Sequence, residues 1–163
     1  MLRGIGSIAL FLAVGPLCAA PGDLDPTFGS TGIVVTSLAS GSDEILAAAL
    51  QRDGKLVCAG YANLSPAQFA VARFNLDGSP DATFSGDGKV FTAVTGGHSY
   101  GQAVAIQPDG KIVVAGYGHT GANYDFAIAR YNADGILDPS FGVGGIVVIP
   151  VGTGNDQCFG MAL

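Results

Sequence analysis

Basic side chains are scarce in this chain and do not cluster. Its 163 residues include seven Lys and Arg against thirteen Asp and Glu, a formal net charge of -6. A surface that neutralises phosphate groups needs a patch or stripe of cations, whereas the cations here are scattered along the sequence. We therefore expect neither a nucleic-acid partner nor attachment to an anionic membrane surface.

Charged residues of either sign make up only 12% of the chain, whereas apolar residues make up 48%. This composition excludes an ordinary disordered segment, which has too little apolar surface to bury. Sustained helical periodicity is also missing, so we expect few helices. The 26 glycines and 8 prolines indicate many tight turns.

Cysteine and histidine are too few and too widely spaced for a recognisable metal site. We expect Cys58 and Cys158 to be buried free thiols, with a disulfide as the less favoured alternative. His98 and His119 lie in variable segments and are predicted to be exposed loop residues. The predicted sets of catalytic, cofactor-binding and metal-binding residues are therefore empty, and no cofactor is expected.

The first twenty residues differ from the rest of the chain. Arg3 is followed by an apolar run from Ile5 to Val14 and a small-residue end, Leu17 to Ala20. This pattern predicts a signal peptide over residues 1–20 and an exported protein, secreted or at the cell surface. A membrane anchor is disfavoured because the apolar run is shorter than the roughly 20 residues that span a bilayer.

An eleven-residue stretch occurs twice. Residues 51–61 read Gln-Arg-Asp-Gly-Lys-Leu-Val-Cys-Ala-Gly-Tyr, and residues 107–117, 56 positions later, are identical at eight of eleven positions. Periods of this size are typical of propellers, solenoids and arrays, in which one unit buries its apolar face against the next copy. The chain is therefore predicted to be a repeat protein.

A shorter motif, Asp-x-Thr/Ser-Phe, occurs three times, at Phe28, Phe84 and Phe141. The predicted units, over residues 21–163, are repeat one (24–79), repeat two (80–136) and partial repeat three (137–163). Leu163 aligns with Ile106 inside a predicted strand. Because closed propellers usually have four to eight blades, we expect about two and a half blades of an incomplete ring. We expect further blades of a longer protein to complete the ring. Oligomerisation is the less favoured alternative.

Four runs of strand length occupy one repeat: Ile33–Leu38, Ile45–Gln51, Lys55–Tyr61 and Phe69–Asn75. Asp53-Gly54 between the second and third runs predicts a two-residue type I′ hairpin. Leu56 to Ala59 is apolar on both faces, which favours a strand buried between two neighbouring blades. We predict an all-β fold of the β-propeller type with four antiparallel strands per blade. A β-solenoid is the weaker alternative.

The motifs follow one another in a fixed order: Gln-Pro-Asp-Gly-Lys-Ile-Val-Val-Ala-Gly-Tyr, then Phe-Ala-x-Ala-Arg-Tyr/Phe-Asn-x-Asp-Gly, then Leu-Asp-x-Ser/Thr-Phe-Gly-x-x-Gly. This order resembles the delta-60 repeat family of exported bacterial proteins, over residues 23–163. The resemblance implies β-propeller-like blades in a secreted or surface protein. It implies no enzymatic activity.

Two arginines, Arg73 and Arg130, recur inside an otherwise apolar strand. A buried cation needs a paired carboxylate, so we expect ion pairs that tie one blade element to the next. The candidate partners are Asp25, Asp53, Asp81, Asp109 and Asp138. The alternative is a ring of arginines that binds an anionic ligand in a central channel.

Other polar and glycine-rich segments are expected to be turns. Asp77, Asp81 and Asp87 crowd one segment, but Asp-Gly turns explain them better than a calcium site does. Residues 85–88 and 142–145 are rich in glycine but precede strands, whereas a phosphate-binding loop opens a helix.

Two segments, Ala62–Gln68 and Gly118–Asp125, differ almost completely between the copies. Such variable loops are expected to contact protein or glycan partners. Tyr61 and Tyr117 are expected to pack in the core, as are Phe28, Phe84 and Phe141; stacking of the tyrosines on glycans is the alternative. The predicted function is a non-enzymatic exported module that acts as a scaffold or interaction surface. The alternatives are a fragment of a propeller enzyme and a truncated product without an independent role.

Overall fold

The computed structural model describes residues 20–163, which form eight β-strands and no helix. The strands are β1 (Asp43–Leu50), β2 (Leu56–Ala62), β3 (Gln68–Phe74), β4 (Lys89–Thr92), β5 (Ser99–Ile106), β6 (Ile112–His119), β7 (Tyr124–Tyr131) and β8 (Ile146–Ile149). They pair as two antiparallel sheets, in the orders β1-β2-β3-β4 and β5-β6-β7-β8. The prediction of an all-β fold with four strands per blade is confirmed. The predicted signal peptide falls on residues outside the described part, except Ala20.

Each blade takes its fourth strand from the next repeat of the sequence. β4 pairs with β3 through partners such as Ala72 and Lys89, and β8 pairs with β7 in the same way. A sequence repeat that starts at the Asp-x-Thr/Ser-Phe turn therefore begins with the last strand of one blade. The first blade spans β1 to β4, across the boundary between residues 79 and 80.

The predicted strand Ile33–Leu38 is wrong. This segment is equivalent in sequence to β4 and β8 of the later repeats, which pair with β3 and β7. In the described part of the chain, no strand equivalent to β3 lies beside it. A strand needs a neighbour for its backbone N–H and C=O groups. Here the carboxylate of Asp43 accepts hydrogen bonds from the backbone N–H groups of Leu38 (3.0 Å) and Ala39 (2.7 Å) instead.

The predicted strand at Leu163 is also wrong, because residues 150–163 contain no strand. In both blades the first strand pairs with the strand that follows the Asp-Gly hairpin. In the described structure no such strand lies beside residues 150–163. The ladder that forms β1 and β5 is therefore not available to this segment.

Burial of β2 on both faces is confirmed. Val57 and Ala59 are fully buried in the apolar core between the two sheets. Cys58 points to the opposite face and packs in a second cluster with Ala70 and Ala72. The alternation of side chains along a strand places successive residues on opposite faces, so a strand that is apolar throughout is covered on both sides.

The two sheets approach closely at a pair of glycines. A Cβ atom on Gly101 of β5 would lie 2.8 Å from the carbonyl oxygen of Gly60 in β2. A hydrogen bond also crosses the joint, because the fully buried Tyr131 donates to the hydroxyl oxygen of Thr92 at 2.8 Å. Burial raises the pKa of Tyr131 far above its usual range. Apolar packing and this buried hydroxyl pair together hold the blades against each other.

The hairpins at Asp53-Gly54 and Asp109-Gly110 are not type I′ turns, which need a positive φ at both residues. Only the glycines have positive φ, 84° and 86°. The Gly54 N–H donates to the carbonyl of Gln51 (3.0 Å), and the Asp53 carboxylate accepts from the N–H of Lys55 (3.2 Å). This side-chain hydrogen bond stabilises Asp53 at negative φ in a three-residue loop that ends on a left-handed glycine.

The two cysteines predicted to be free thiols are indeed unpaired. Cys58 is buried as expected, and burial raises the pKa of its thiol. The predicted burial of Cys158 is wrong, because this residue is only half-buried in the strand-free segment after β8.

Removal of the Tyr131 hydroxyl should weaken the joint between the blades. We expect Tyr131→Phe to lower the free energy of unfolding by about 1–2 kcal/mol, because the buried Thr92 hydroxyl loses its partner. Adding Thr92→Val should then cost little, since both polar groups are gone. Denaturant unfolding of the four proteins in the double-mutant cycle measures the coupling. Strictly additive losses would contradict a bond between these hydroxyls.

Candidate functional site

The strands run between two ends of the blades, which differ in chemistry. The hairpin end contains the Asp-Gly hairpins and the Asp-x-Thr/Ser-Phe turns, at residues 51–55, 75–88, 107–111 and 132–145. The loop end contains the other connections, at residues 63–67, 93–98, 120–123 and 150–156. Residues at both ends were candidates for function, and the structure assigns them different roles.

Arg73 is the centre of a charged network at the hairpin end. Its Nε donates to Oδ2 of Asp81 at 2.7 Å, and Lys55 Nζ donates to the same oxygen at 2.7 Å. Its two Nη atoms donate to Thr83 Oγ1 (3.1 Å) and to the carbonyl oxygen of Ala133 (2.6 Å), which belongs to the second blade. The predicted ion pair that ties one blade element to the next is confirmed, with Asp81 as the carboxylate.

The second blade repeats this arrangement with Arg130, whose Nε donates to Asp138 Oδ2 at 2.8 Å. Lys111 Nζ donates to the same oxygen at 2.8 Å. The sequence reasoning missed both lysines, although Lys follows the Asp-Gly hairpin in each copy. Three carboxylates proposed as arginine partners are wrong, because none of them contacts an arginine: Asp25, Asp53 and Asp109.

Phe84 lies under the Arg73 guanidinium, whose carbon is 4.9 Å from the ring centroid, within the range of a cation–π contact. Phe84 is fully buried against Gly135, where a Cβ would lie 2.9 Å from the ring. The neighbouring Ser85 N–H donates to the carbonyl of Asp134 at 2.7 Å. Arg73, Asp81, Lys55 and Phe84 thus form a clamp onto the next blade, which we call the blade clamp.

The blade clamp is built for stability, not for ligand binding. Arg73 is 5% exposed, and all its nitrogens donate to protein acceptors. Burial works to raise the pKa of Asp81, but hydrogen bonds from Lys55 and Thr83 and the charge of Arg73 hold it well below its usual range. Hydrogen bonds from Lys111 and Ser140 likewise lower the pKa of Asp138. This geometry does not favour an anion-binding ring of arginines.

Aromatic side chains gather towards the loop end. Four of the chain's five tyrosines come together there from four strands: Tyr61, Tyr100, Tyr117 and Tyr124. The ring centroids of Tyr61 and Tyr100 are 4.8 Å apart, those of Tyr100 and Tyr117 5.4 Å, and those of Tyr117 and Tyr124 5.5 Å. All four side chains are half-buried. We call these four residues the tyrosine cluster.

The cluster continues into further aromatic and polar groups. The Phe159 ring is 5.9 Å from Tyr117 and is 67% exposed, and the His119 ring is 5.0 Å from Tyr124. The nearby Glu44 carboxylate raises the pKa of Tyr61. Burial raises the pKa values of Tyr100 and Tyr117. These phenols therefore stay neutral at physiological pH and can donate hydrogen bonds.

Half of the tyrosine cluster is not part of the repeat. Tyr61 and Tyr117 are equivalent, but Glu44 stands in the first blade where Tyr100 stands in the second. Ala67 of the first blade is equivalent to Tyr124 of the second. The Ala67 carbonyl accepts a hydrogen bond from the Ser99 N–H, and the Tyr124 carbonyl accepts one from the equivalent Asp156 N–H. The first blade folds without these aromatic rings, so blade folding does not require them.

A β-bulge in the first strand of each blade determines where Tyr100 lies. The register of β5 against β6 shifts after Gly101, and that of β1 against β2 shifts after Ile45. A Cβ on Gly116 would overlap the carbonyl oxygen of Tyr100, so this recurring glycine makes room for the bulge. Bulges often redirect side chains beside functional sites. The recurring Ala-Gly-Tyr sequence was the available signal for this feature, and the sequence reasoning missed it.

Charge is segregated between the two ends. The basic residues of the described chain all lie in or beside the hairpin end: Arg52, Lys55, Arg73, Lys89, Lys111 and Arg130. The loop end carries acidic groups instead, at Asp43, Glu44, Asp125 and Asp156. Within residues 20–163, the tyrosine cluster therefore lies in surroundings that contain carboxylates but no Lys or Arg.

The remaining candidate residues have local structural roles. Asp77 accepts hydrogen bonds from Ser79, and Asp87 accepts one from the Lys89 N–H. Between residues 20 and 163, no three His, Cys, Asp or Glu side chains are grouped to hold a metal ion. His98 is exposed as predicted, but the loop prediction for His119 is wrong, because it ends β6 and is half-buried. The glycine-rich segments at 85–88 and 142–145 are turns, as predicted.

Residues 51–84 and 107–141 match a family model described as a domain of unknown function (DUF5122) beta-propeller. In these two stretches the chain is similar to a β-propeller domain of unknown function. Each matched stretch of this propeller domain runs from the Asp-Gly hairpin to the Phe of the next turn, so it contains one complete set of clamp residues. Tyr100 lies outside both stretches. A search of curated proteins found no match. Among the described residues, no helix is long and apolar enough to cross a membrane.

Neutralising Asp81 should be costly because Arg73 would stay buried without its counter-charge. We expect Asp81→Asn to lower the free energy of unfolding by about 3 kcal/mol at neutral pH. The folded state lowers the pKa of Asp81, so its contribution is present above the unfolded-state pKa of about 4 and is lost as the pH falls further. The difference between wild type and variant should therefore shrink below about pH 4 in denaturant titrations.

Asp138→Asn is the matched control for this prediction. The Arg130 side chain is 19% exposed, against 7% for Arg73, so water can solvate part of its charge. We expect a smaller loss than for Asp81→Asn. Equal losses, or a gap that persists at low pH, would contradict a dominant role for the Arg73–Asp81 pair.

Proposed function

We propose that this chain is a non-enzymatic, exported repeat module of the delta-60 type. Its propeller blades act as a scaffold that presents a protein- or glycan-binding surface at the loop end. One observation carries the proposal: Tyr100 and Tyr124, which blade folding does not require, converge with recurring tyrosines beside the variable loops. Residues that are free to vary between copies but come together in space are the expected mark of a contact surface.

The distribution of polar residues supports a binding role. At the hairpin end, the recurring charged groups are used in the blade clamp and in the equivalent ion pairs of the second blade, where they stabilise the fold. At the loop end, the aromatic rings are half-buried and accessible to a partner. The proposal assigns no catalytic residue, metal or cofactor to this surface.

We further propose that additional blades complete the ring, either in a longer chain or through oligomerisation. The outer face of the first blade supports this, because β1 exposes Ile45, Leu46 and Leu50 by 46%, 43% and 69%. Apolar side chains on the face of a blade are normally covered by a neighbouring blade.

Export is tested by disrupting the predicted signal peptide. In a bacterial host, the full chain should lose about its first twenty residues and leave the cytoplasm. Leu10→Asp places a charge in the apolar run and should keep the uncleaved chain inside. The control is Leu24→Asp, at an exposed position outside the predicted signal, which should not change processing. Mass spectrometry of the cell fractions measures the cleavage and the location of each variant. Equal export of the two variants would refute the proposal.

The binding surface is tested by a loop exchange. We expect the full chain to co-sediment with isolated bacterial cell envelopes. Replacing Gly118–Asp125 with the sequence of Ala62–Gln68 should reduce the bound fraction severalfold, while the fold is retained because the first blade uses that loop. Pro108→Arg makes the hairpin end resemble the first blade and serves as the control. Envelope binding that the loop exchange leaves unchanged would overturn the assignment of this surface.

A further inference from the structure

We propose that the tyrosine cluster, with Phe159 and Glu44, is a binding ledge for a neutral polysaccharide. This inference rests on the proposed function and narrows its partner to one class. The ledge crosses the joint between the blades, because Tyr61 belongs to the first sheet and the other tyrosines belong to the second. A ligand that spans several rings would therefore contact both blades.

The ring geometry favours an extended ligand over a small caged one. The centroids of the four contacting ring pairs in the cluster are 4.8 to 6.2 Å apart, and two of these pairs meet edge to face while two are tilted. An aromatic cage that holds an organic cation needs open space between its rings. The rings here fill that space themselves, and their outer faces and edges remain for contact with a ligand.

The polar neighbours of the rings match the chemistry of a sugar. A pyranose has apolar C–H faces, which pack against aromatic rings, and a rim of hydroxyl groups, which need donors and acceptors. Glu44 and Gln102, which lie close enough to Tyr61 and Tyr117 respectively to influence the pKa values of these phenols, provide a carboxylate and an amide beside the rings. The neutral phenols add donors. Aromatic surface edged by a few polar groups is a common composition of ligand sites.

The electrostatic surroundings favour a neutral polymer. The basic residues in the described chain lie at the opposite end of the blades, whereas four acidic residues lie at the loop end. A carboxylated or sulfated polysaccharide would meet like charge there and find no Lys or Arg among the described residues to pair with. A neutral chain of sugars avoids this repulsion.

The size of the ledge disfavours a protein partner. A tyrosine buries about 150–250 Å² when it is fully covered, so four tyrosines with at most about a third of their surface exposed offer no more than about 330 Å². A protein interface of standard size takes about 800 Å² from each partner. A few sugar units stacked along the rings need much less surface.

The test compares site variants on defined polysaccharides. The full chain is run by affinity electrophoresis through gels that contain laminarin, xylan, galactomannan or soluble starch. We expect at least one polymer to retard the wild type. Tyr100→Gln and Tyr124→Ala should each weaken this retardation about tenfold, as the loss of roughly one aromatic contact. Both variants should fold, because the first blade folds with Glu44, a side chain of the same length as Gln, and Ala67 at the equivalent positions.

Ile136→Ala is the control, because it removes an apolar side chain, 62% exposed, at the hairpin end of the same blade. It should bind like the wild type. Absence of retardation by all four polymers, or unchanged binding of Tyr100→Gln and Tyr124→Ala, would overturn the inference. Quenching of tyrosine fluorescence by tetramethylammonium chloride, without any polysaccharide binding, would reassign the ledge to organic cations and also overturn it.

Treatment of cell envelopes separates this inference from the broader proposal. Periodate, which cleaves sugar diols, should abolish co-sedimentation with the envelopes, whereas proteinase treatment of the envelopes should leave it intact. Binding that only proteinase removes would refute the glycan inference but leave the proposed interaction module standing. If untreated envelopes bind no chain, the proposed function itself fails.

Discussion

The charge of Arg73 is the constraint on which much of this structure depends. The arginine is buried near the hairpin end of β3, an otherwise largely apolar strand, and an unpaired cation there would cost several kcal/mol. Its guanidinium is satisfied by groups from three places: Asp81 in the turn after its own strand, Thr83 beside it, and the Ala133 carbonyl of the next blade. Satisfying one charge therefore requires the turn to fold and the next blade to dock.

This constraint divides the two ends of the blades. The hairpin end must keep Lys, Arg, Asp and Phe at fixed places, because each one completes the clamp, and these residues recur in both copies. The loop end carries no part of the clamp, so its residues are free to differ. The second blade therefore has Tyr100 and Tyr124 where the first blade has Glu44 and Ala67. These two tyrosines complete a surface that neither blade forms alone.

The accuracy of the sequence reasoning followed how local each interaction is. β2 was predicted at Lys55–Tyr61 and lies at Leu56–Ala62, because both its faces are apolar and an Asp-Gly turn precedes it. Ile33–Leu38 was predicted as a strand from similar residues and is not one, because a ladder needs a partner that the segment itself does not contain. The hairpin type was also wrong, since the Asp53 side chain bonds to the backbone and keeps its own φ negative.

The repeat, the four strands of each blade and the need of each arginine for a carboxylate follow from the residues alone, because periodicity, turn chemistry and the cost of a buried charge depend on short stretches of residues. The folded arrangement of the blades was needed to show which aspartate pairs with Arg73, which repeat closes each blade, and that tyrosines from four strands share one surface. These outcomes depend on strand register, on a bulge beside Gly116 and on the docking of two sheets. Such features arise between distant segments, so no local pattern contains them.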